Sequence, residues 1–300
     1  MTVCILLPLV CVFLHAQTSP ARPAIPKETL PPMLTPWEID PQLGGADKNA
    51  PFLAHKVIGN VYYVGTSDYA SFLITSDQGH ILINPDFESS VPLIQKSVEQ
   101  LGFRFQDIKI ILISHSHGDH AQGTARMKEL TGAQVMVMDA DSDLLVHPRG
   151  GRGSLPAVHL TRVLHDKDEV TLGGNTLVAY LTPGHTKGCT SFAFKTQEGG
   201  KTYNVVIIGS IGVNVASSLV NNAAYPNIIA DYQRSFQVLK GLPCDVFLAS
   251  HGEFCGLHAK HSKLAAGGPN PFIDPDRYKA HVALMERAFY YKLDWAIRQN

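Results

Sequence analysis

IKIILISHSHGDH, residues 108–120, joins an apolar run directly to three histidines and one aspartate. Its aliphatic first half reads as a buried strand. Imidazole and carboxylate are common zinc ligands, and a turn at a strand end aims several of them at one point because the sheet fixes the backbone there. His115 and His117 are two apart, so an extended chain points both the same way. Asp119 and His120 follow Gly118, where the chain can turn sharply and present a second set of donors. A lone histidine at a strand end is usually a satisfied polar residue, but that account does not cover a cluster this dense. The cluster suits two adjacent ions.

These residues alone are too few for two zinc ions, and two further strand ends supply donors. TPGHTKG (182–188) places His185 after an apolar strand and a Pro-Gly turn, and LASHGEF (248–254) places His251 after VFLAS. The other histidines, His55, His80, His147, His159, His165, His258, His261 and His281, follow no such pattern and read as surface or structural.

Outward from the cluster, VYYVG (61–65), SFLITS (71–76), HILINP (80–85) and QVMVMD (134–139) read as strands. Ser90, with Pro92 behind it, predicts a capped helix through Gln100, and another helix is expected near 122–131. A second half repeats the rhythm with TLVAYLTP, SFAFKT, NVVIIGS, a helix over 227–240, and VFLASH. Strands followed by helices in both halves predict an α/β fold of two packed sheets with helices outside. A final helix, about 276–297, places Tyr278, Val282, Met285, Phe289 and Leu293 on one core-facing side.

Composition bounds the function. The chain has 300 residues, 45% apolar and 17% charged, with a formal net charge of -1, so it carries no basic footprint for nucleic acid or anionic lipid. A small diffusible partner is expected. Residues 1–17, MTVCILLPLVCVFLHAQ, contain an apolar run shorter than the ~20 residues a membrane span requires. They read as a cleaved secretory signal, which implies a periplasmic or secreted protein without stable membrane association. Residues 18–50, rich in proline to position 36, read as an irregular leader, and 51–300 as one catalytic domain. The mature chain keeps Cys189, Cys244 and Cys255, an odd count. Cys244 and Cys255 flank a strand over 246–251 that would span about 20 Å, whereas a disulfide needs Cα atoms ~4.4–6.8 Å apart. No internal disulfide is expected. HPRGGRG (147–153) is a glycine-rich rim in which Arg149 or Arg152 could meet an anion, although a solvated loop is the simpler reading.

The motif His115-Ser116-His117-Gly118-Asp119-His120 resembles the H-x-H-x-D-H hallmark of the metallo-β-lactamase superfamily. YYVGTSDYASFLI, ESSVPLI, TPGHTKGCTSF, IGSIGVN, DYQRSFQVLKGLPCDVFLASHG and AAGGPNPFIDP resemble its third β-lactamase subclass, B3, over nearly the whole mature chain. The resemblance implies a four-layer αββα sandwich and two zinc ions. It implies a first zinc on His115, His117 and His185 and a second on Asp119, His120 and His251. Some subclass members pair a cysteine at the position of Cys244 with one near 276, but Asp276 and its neighbours offer no sulfur.

The activity so implied is hydrolysis of the β-lactam amide by a zinc-bound hydroxide that Asp119 orients, with no covalent intermediate. Many superfamily relatives carry a bridging aspartate where this chain, like the lactamase subclass, has Ser210. Ser210 and Asn214 are the expected substrate contacts. The subclass often continues with Pro-Gly-Tyr, where this chain reads Val215, Ala216 and Ser217. The alternatives are another hydrolase of small esters or thioesters, of glyoxalase II or lactonase type, and a zinc-binding protein without activity. A nuclease is disfavoured by the missing basic surface.

Overall fold

The structure, a computed structural model, describes residues 47–149, 154–214 and 217–299. The expected signal segment, most of the leader, Arg152, Val215 and Ala216 lie outside them.

Strands β1 (His55–Ile58), β2 (Val61–Tyr63), β3 (Phe72–Ile74), β4 (His80–Ile83), β5 (Ile108–Ile113), β6 (Gln134–Met138) and β7 (Arg162–Leu164) form a seven-stranded sheet in chain order. β8 (Asp168–Leu172), β9 (Asn175–Leu181), β10 (Thr190–Glu198), β11 (Lys201–Ile208) and β12 (Val246–Ala249) form a five-stranded sheet ordered β12-β11-β10-β9-β8. Both sheets are mixed. β4 through β7 pair in parallel, as do β11 and β12, and the other pairings are antiparallel.

Parallel neighbours need crossovers, and helices supply most of them. Between β4 and β5 lies α1 (Val91–Gln100), between β5 and β6 lie α2 (Gly118–Ala121) and α3 (Thr124–Thr131), and between β6 and β7 lies α4 (Asp139–Val146). α5 (Ile228–Gly241) connects β11 to β12. α6 (Gly252–Cys255), α7 (Leu257–Ala265) and α8 (Pro275–Gln299) follow.

Strand alternation divides the core into layers. Ile81, Ile83, Ile110 and Leu112 join Leu177, Ala179, Phe192 and Val205 in the cluster between the sheets, whereas Leu82, Ile111 and Ile113 face outward onto Ile94 and Val98 of α1. On the far side of the second sheet, Phe236 and Leu239 of α5 and Val282 and Phe289 of α8 join the cluster. The order is helix, sheet, sheet, helix, as the resemblance implies.

Some local expectations are revised. Ser90 occupies the N-cap of α1 as expected, but its side chain makes no capping bond: it ends a short 3-10 turn in αR geometry, and its hydroxyl donates to Oδ1 of Asn49 at 2.6 Å. The sharp turn expected at Gly118 is a one-turn helix with His117 at its N-cap. The helix expected near 122–131 starts at Thr124.

Candidate metal centre

All the expected donors leave the C-terminal ends of strands, where open α/β sheets place their ligands. The 114–120 turn follows β5, His185 follows β9, and His251 follows β12. Backbone bonds stitch these exits together across the two sheets: Thr190 N–H donates to Ser114 O at 2.8 Å, and Ala70 N–H to Ser250 O at 3.0 Å. The turn before His185 requires glycine at 184, where φ is +129° and a Cβ would lie 2.6 Å from the Tyr232 ring.

The expected donors lie close together, and His115 groups with Asp119 and His120 as well as with His117 and His185. Nδ1 of His117 lies 3.1 Å from Nε2 of His185, and the candidate ligand atoms of His115, His117 and His185 all fall within 4.8 Å of one another. Nε2 of His120 lies 3.2 Å from Nε2 of His251, with Oδ2 of Asp119 at 3.4 Å from the first and 3.6 Å from the second. Donors around a tetrahedral zinc, bonded at ~2.0–2.2 Å, sit about 3.3 Å apart across the ion. The separations of 3.1, 3.2, 3.4 and 3.6 Å fit that spacing. Nε2 of His115 is buried without a hydrogen-bond partner, a further mark of a position prepared for a ligand bond. A third acidic group, Asp68, His251 and Glu253, already holds a cation: Nζ of Lys48 lies 2.8 Å from Asp68 and 3.3 Å from Glu253.

In three of the five rings the opposite nitrogen has a partner that fixes tautomer and orientation, whereas Nδ1 of His120 is buried without one. Nδ1–H of His185 donates to Gly212 O at 2.7 Å, and Nδ1 of His115 lies 3.1 Å from Ser114 Oγ. Nδ1–H of His251 donates to Oδ2 of Asp68 at 2.9 Å. Burial, then repulsion among neighbouring rings, holds His115 and His120 well below the ordinary imidazole range. Burial also lowers His117, against the pull of Asp119 and Asp141, and burial with the charge of His117 pushes His185 down to about 3. Neutral rings keep their lone pairs for a metal. For His251, burial is outweighed by the bond to Asp68 and the charges of Asp68 and Asp119, and its pKa is raised.

Ser210 is buried just past β11, with its carbonyl accepting the Cys189 thiol at 3.2 Å, and Asn214 is half-buried with its carbonyl accepting Nζ of Lys292 at 2.9 Å. Arg149 is exposed and lies 3.5 Å from Asp143. His55, His80 and His281 are buried structural residues.

Two residues of the site went unread in the sequence. Asp68 supports His251. Asp141 accepts bonds from both loops that carry the first donor set. Each stands just past an apolar stretch, the same signal that exposed the histidines, but neither belongs to a spaced motif.

The chain is similar to the native FEZ-1 metallo-beta-lactamase from Legionella gormanii, at 43% identity over 84% of this chain and 99% of that one, with a TM-score of 0.82. It is also similar to LRA-12, a class B3 di-zinc metallo-beta-lactamase from an Alaskan soil metagenome, at 32% identity over 83% of this chain and 97% of that one, with a TM-score of 0.77. Among curated proteins it matches the hydroxyacylglutathione hydrolase of Bartonella quintana at 26% identity, over 51% of each chain, so it spans about half the length of that relative. The profile of the metallo-beta-lactamase superfamily matches residues 64–251, and with the site lying inside that span the chain belongs to this superfamily.

Proposed function

We infer that the chain is a zinc-dependent β-lactamase that opens the lactam amide without a covalent intermediate. The observation that carries this reading is the 43% identity to FEZ-1 over 99% of that chain, against a thioester-hydrolase match of 26% over half a chain. Two zinc ions are proposed, because two donor sets are present and LRA-12 is described as di-zinc.

When bound, zinc acts as a Lewis acid and lowers the pKa of water to near 7. The residues do the rest. Nε2 of His115, Nδ1 of His117 and Nε2 of His185 would hold the first ion, and Asp119, His120 and His251 the second. Asp119 commits Oδ2 to the donor triangle, which leaves Oδ1 to orient the attacking water. Its side chain is 28% exposed, so water can reach it. Ser210 and Asn214 contact the substrate carboxylate.

A side-chain nucleophile is disfavoured by burial. Ser114 lies beside His115 but is 1% exposed, and Cys189 is buried with its thiol pushed far above the usual range by that burial. Residues 1–17 are proposed as an export signal to the periplasm or medium, 18–50 as a leader and 51–300 as the catalytic unit. Among the described residues, no helix is long and apolar enough to cross a membrane.

The test is hydrolysis of a carbapenem and of a hydroxyacyl-glutathione thioester by the purified protein, with and without chelator. Chelator-sensitive lactam turnover is expected. Turnover of the thioester alone would replace this reading with the thioester-hydrolase one.

A further inference from the structure

Asp141 stands in the first turn of α4 and is 2% exposed. Its Oδ2 accepts Ser116 N–H at 2.8 Å and the Thr186 hydroxyl at 2.8 Å, and its Oδ1 accepts Gly188 N–H at 2.7 Å. Ser116 separates His115 from His117, and Thr186 directly follows His185. One carboxylate therefore joins two loops that are distant in sequence and that together carry the whole first donor set. The fit is close: a Cβ at Gly188 would lie 2.5 Å from Asp141 N and 2.7 Å from its Cβ and Cγ, so only glycine lets the loop reach the carboxylate.

Asp141 takes part in no ion pair with lysine or arginine among the described residues. A buried carboxylate is costly unless hydrogen bonds or a cation compensate it. Three hydrogen-bond donors do this here, beside imidazoles suited to hold a cation.

We propose that Asp141 is the positioning residue of the first metal site, clamping the 114–120 and 182–188 loops so that His115, His117 and His185 meet one ion. This rests on the assignment of those three residues as its donors. Asp141 touches neither metal nor substrate; it acts through the backbone beside the ligands. Outer partners of this kind are typically worth about 10- to 100-fold in metal affinity.

The experiment is zinc and cobalt titration of the stripped full-length mature protein, for the parent, Asp141→Asn and Thr186→Val, with His117→Ala and His251→Ala marking the two sites in the cobalt absorption spectrum. An amide at 141 turns an N–H toward a backbone N–H whichever way it sits, so Asp141→Asn should weaken the component that His117→Ala removes by about 10- to 100-fold. The component that His251→Ala removes should stay near the parent value. Thr186→Val removes one hydroxyl bond and no backbone donor, so it should weaken the same component by a few-fold, and it decides the question if Asp141→Asn does not fold. Parent-like affinity and spectrum in the folded variants, or a loss confined to the His251 component, overturns the proposal. If His117→Ala removes nothing from the parent spectrum, the donor assignment itself is wrong and the proposal falls with it.

Discussion

Nδ1 of His251 lies 2.9 Å from Oδ2 of Asp68, and that carboxylate also binds Nζ of Lys48 at 2.8 Å and Glu253 N–H at 3.0 Å. Asp68 thereby aims Nε2 of His251 into the second donor set, while Lys48 and the Glu253 amide fix Asp68 itself. Asp68→Asn keeps the shape and removes the charge. Zinc affinity of the second site should fall about 10- to 100-fold with the first site little changed. A competition titration against a chromophoric chelator measures this, and equal weakening of both sites would mean that Asp68 only supports the fold.

His281 predicts a pH dependence away from the metals. Its ring packs between Phe247 and Phe254, at 5.1 and 5.2 Å, and burial followed by the charge of Arg277 pushes its pKa down to about 3. The unfolded chain takes up a proton near pH 6.5 that the folded chain refuses until about pH 3, so stability is lost as pH falls through that window. At pH 5 the cost is about 2 kcal/mol. Denaturant unfolding at pH 7.5 and 5 should show a smaller drop for His281→Phe than for the parent. An identical drop in both would place the acid sensitivity elsewhere.

Cys189, Cys244 and Cys255 are all free, the first and last buried and Cys244 partly so. Burial raises all three thiols, and Cys244 is pushed up to about 12. Thiol reagent should therefore react slowly with the native protein and count three thiols in the unfolded mature chain. Fewer than three in the unfolded chain would reveal a disulfide and contradict the structure.

Asp119 is the one carboxylate in the proposed donor sets. Placing a second by Ser210→Asp lowers the positive charge of the loaded site by about one unit. Zinc binding should hold or tighten, while kcat for carbapenems and cephalosporins falls at least about tenfold, since charge developing on the substrate then meets a weaker field. Zinc content and kcat both equal to the parent would place Ser210 outside the site.

The strands legible in the sequence are those with a clear apolar run, whether buried throughout like most of β5 or only in part like β9. β7 and β8, three and five residues long with arginine, aspartate and glutamate among them, are edge strands whose solvent-facing residues dilute the apolar signal. α4, reading DADSDLLV, hides for a similar reason: its acidic first turn suits the helix dipole but shows little apolar period. At the site, the histidines were legible because one motif and three strand ends announce them. Asp68 and Asp141 were not, because a single acid gains meaning only from what the fold brings to it, in these cases His251 from 183 positions away and Gly188 from 47.

Every proposed donor lies on a segment that leaves the C-terminal end of a strand, whereas the wall over residues 209–227 contains no strand or helix among its described residues. Heritable change therefore meets two kinds of ground. Apart from Gly212, whose carbonyl holds Nδ1 of His185, substitutions along the wall can reshape what is admitted without removing a partner of a donor. Substitutions beneath the donors are constrained by the sheets. A scaffold divided in this way lets substrate preference drift between lineages while the chemistry stays fixed.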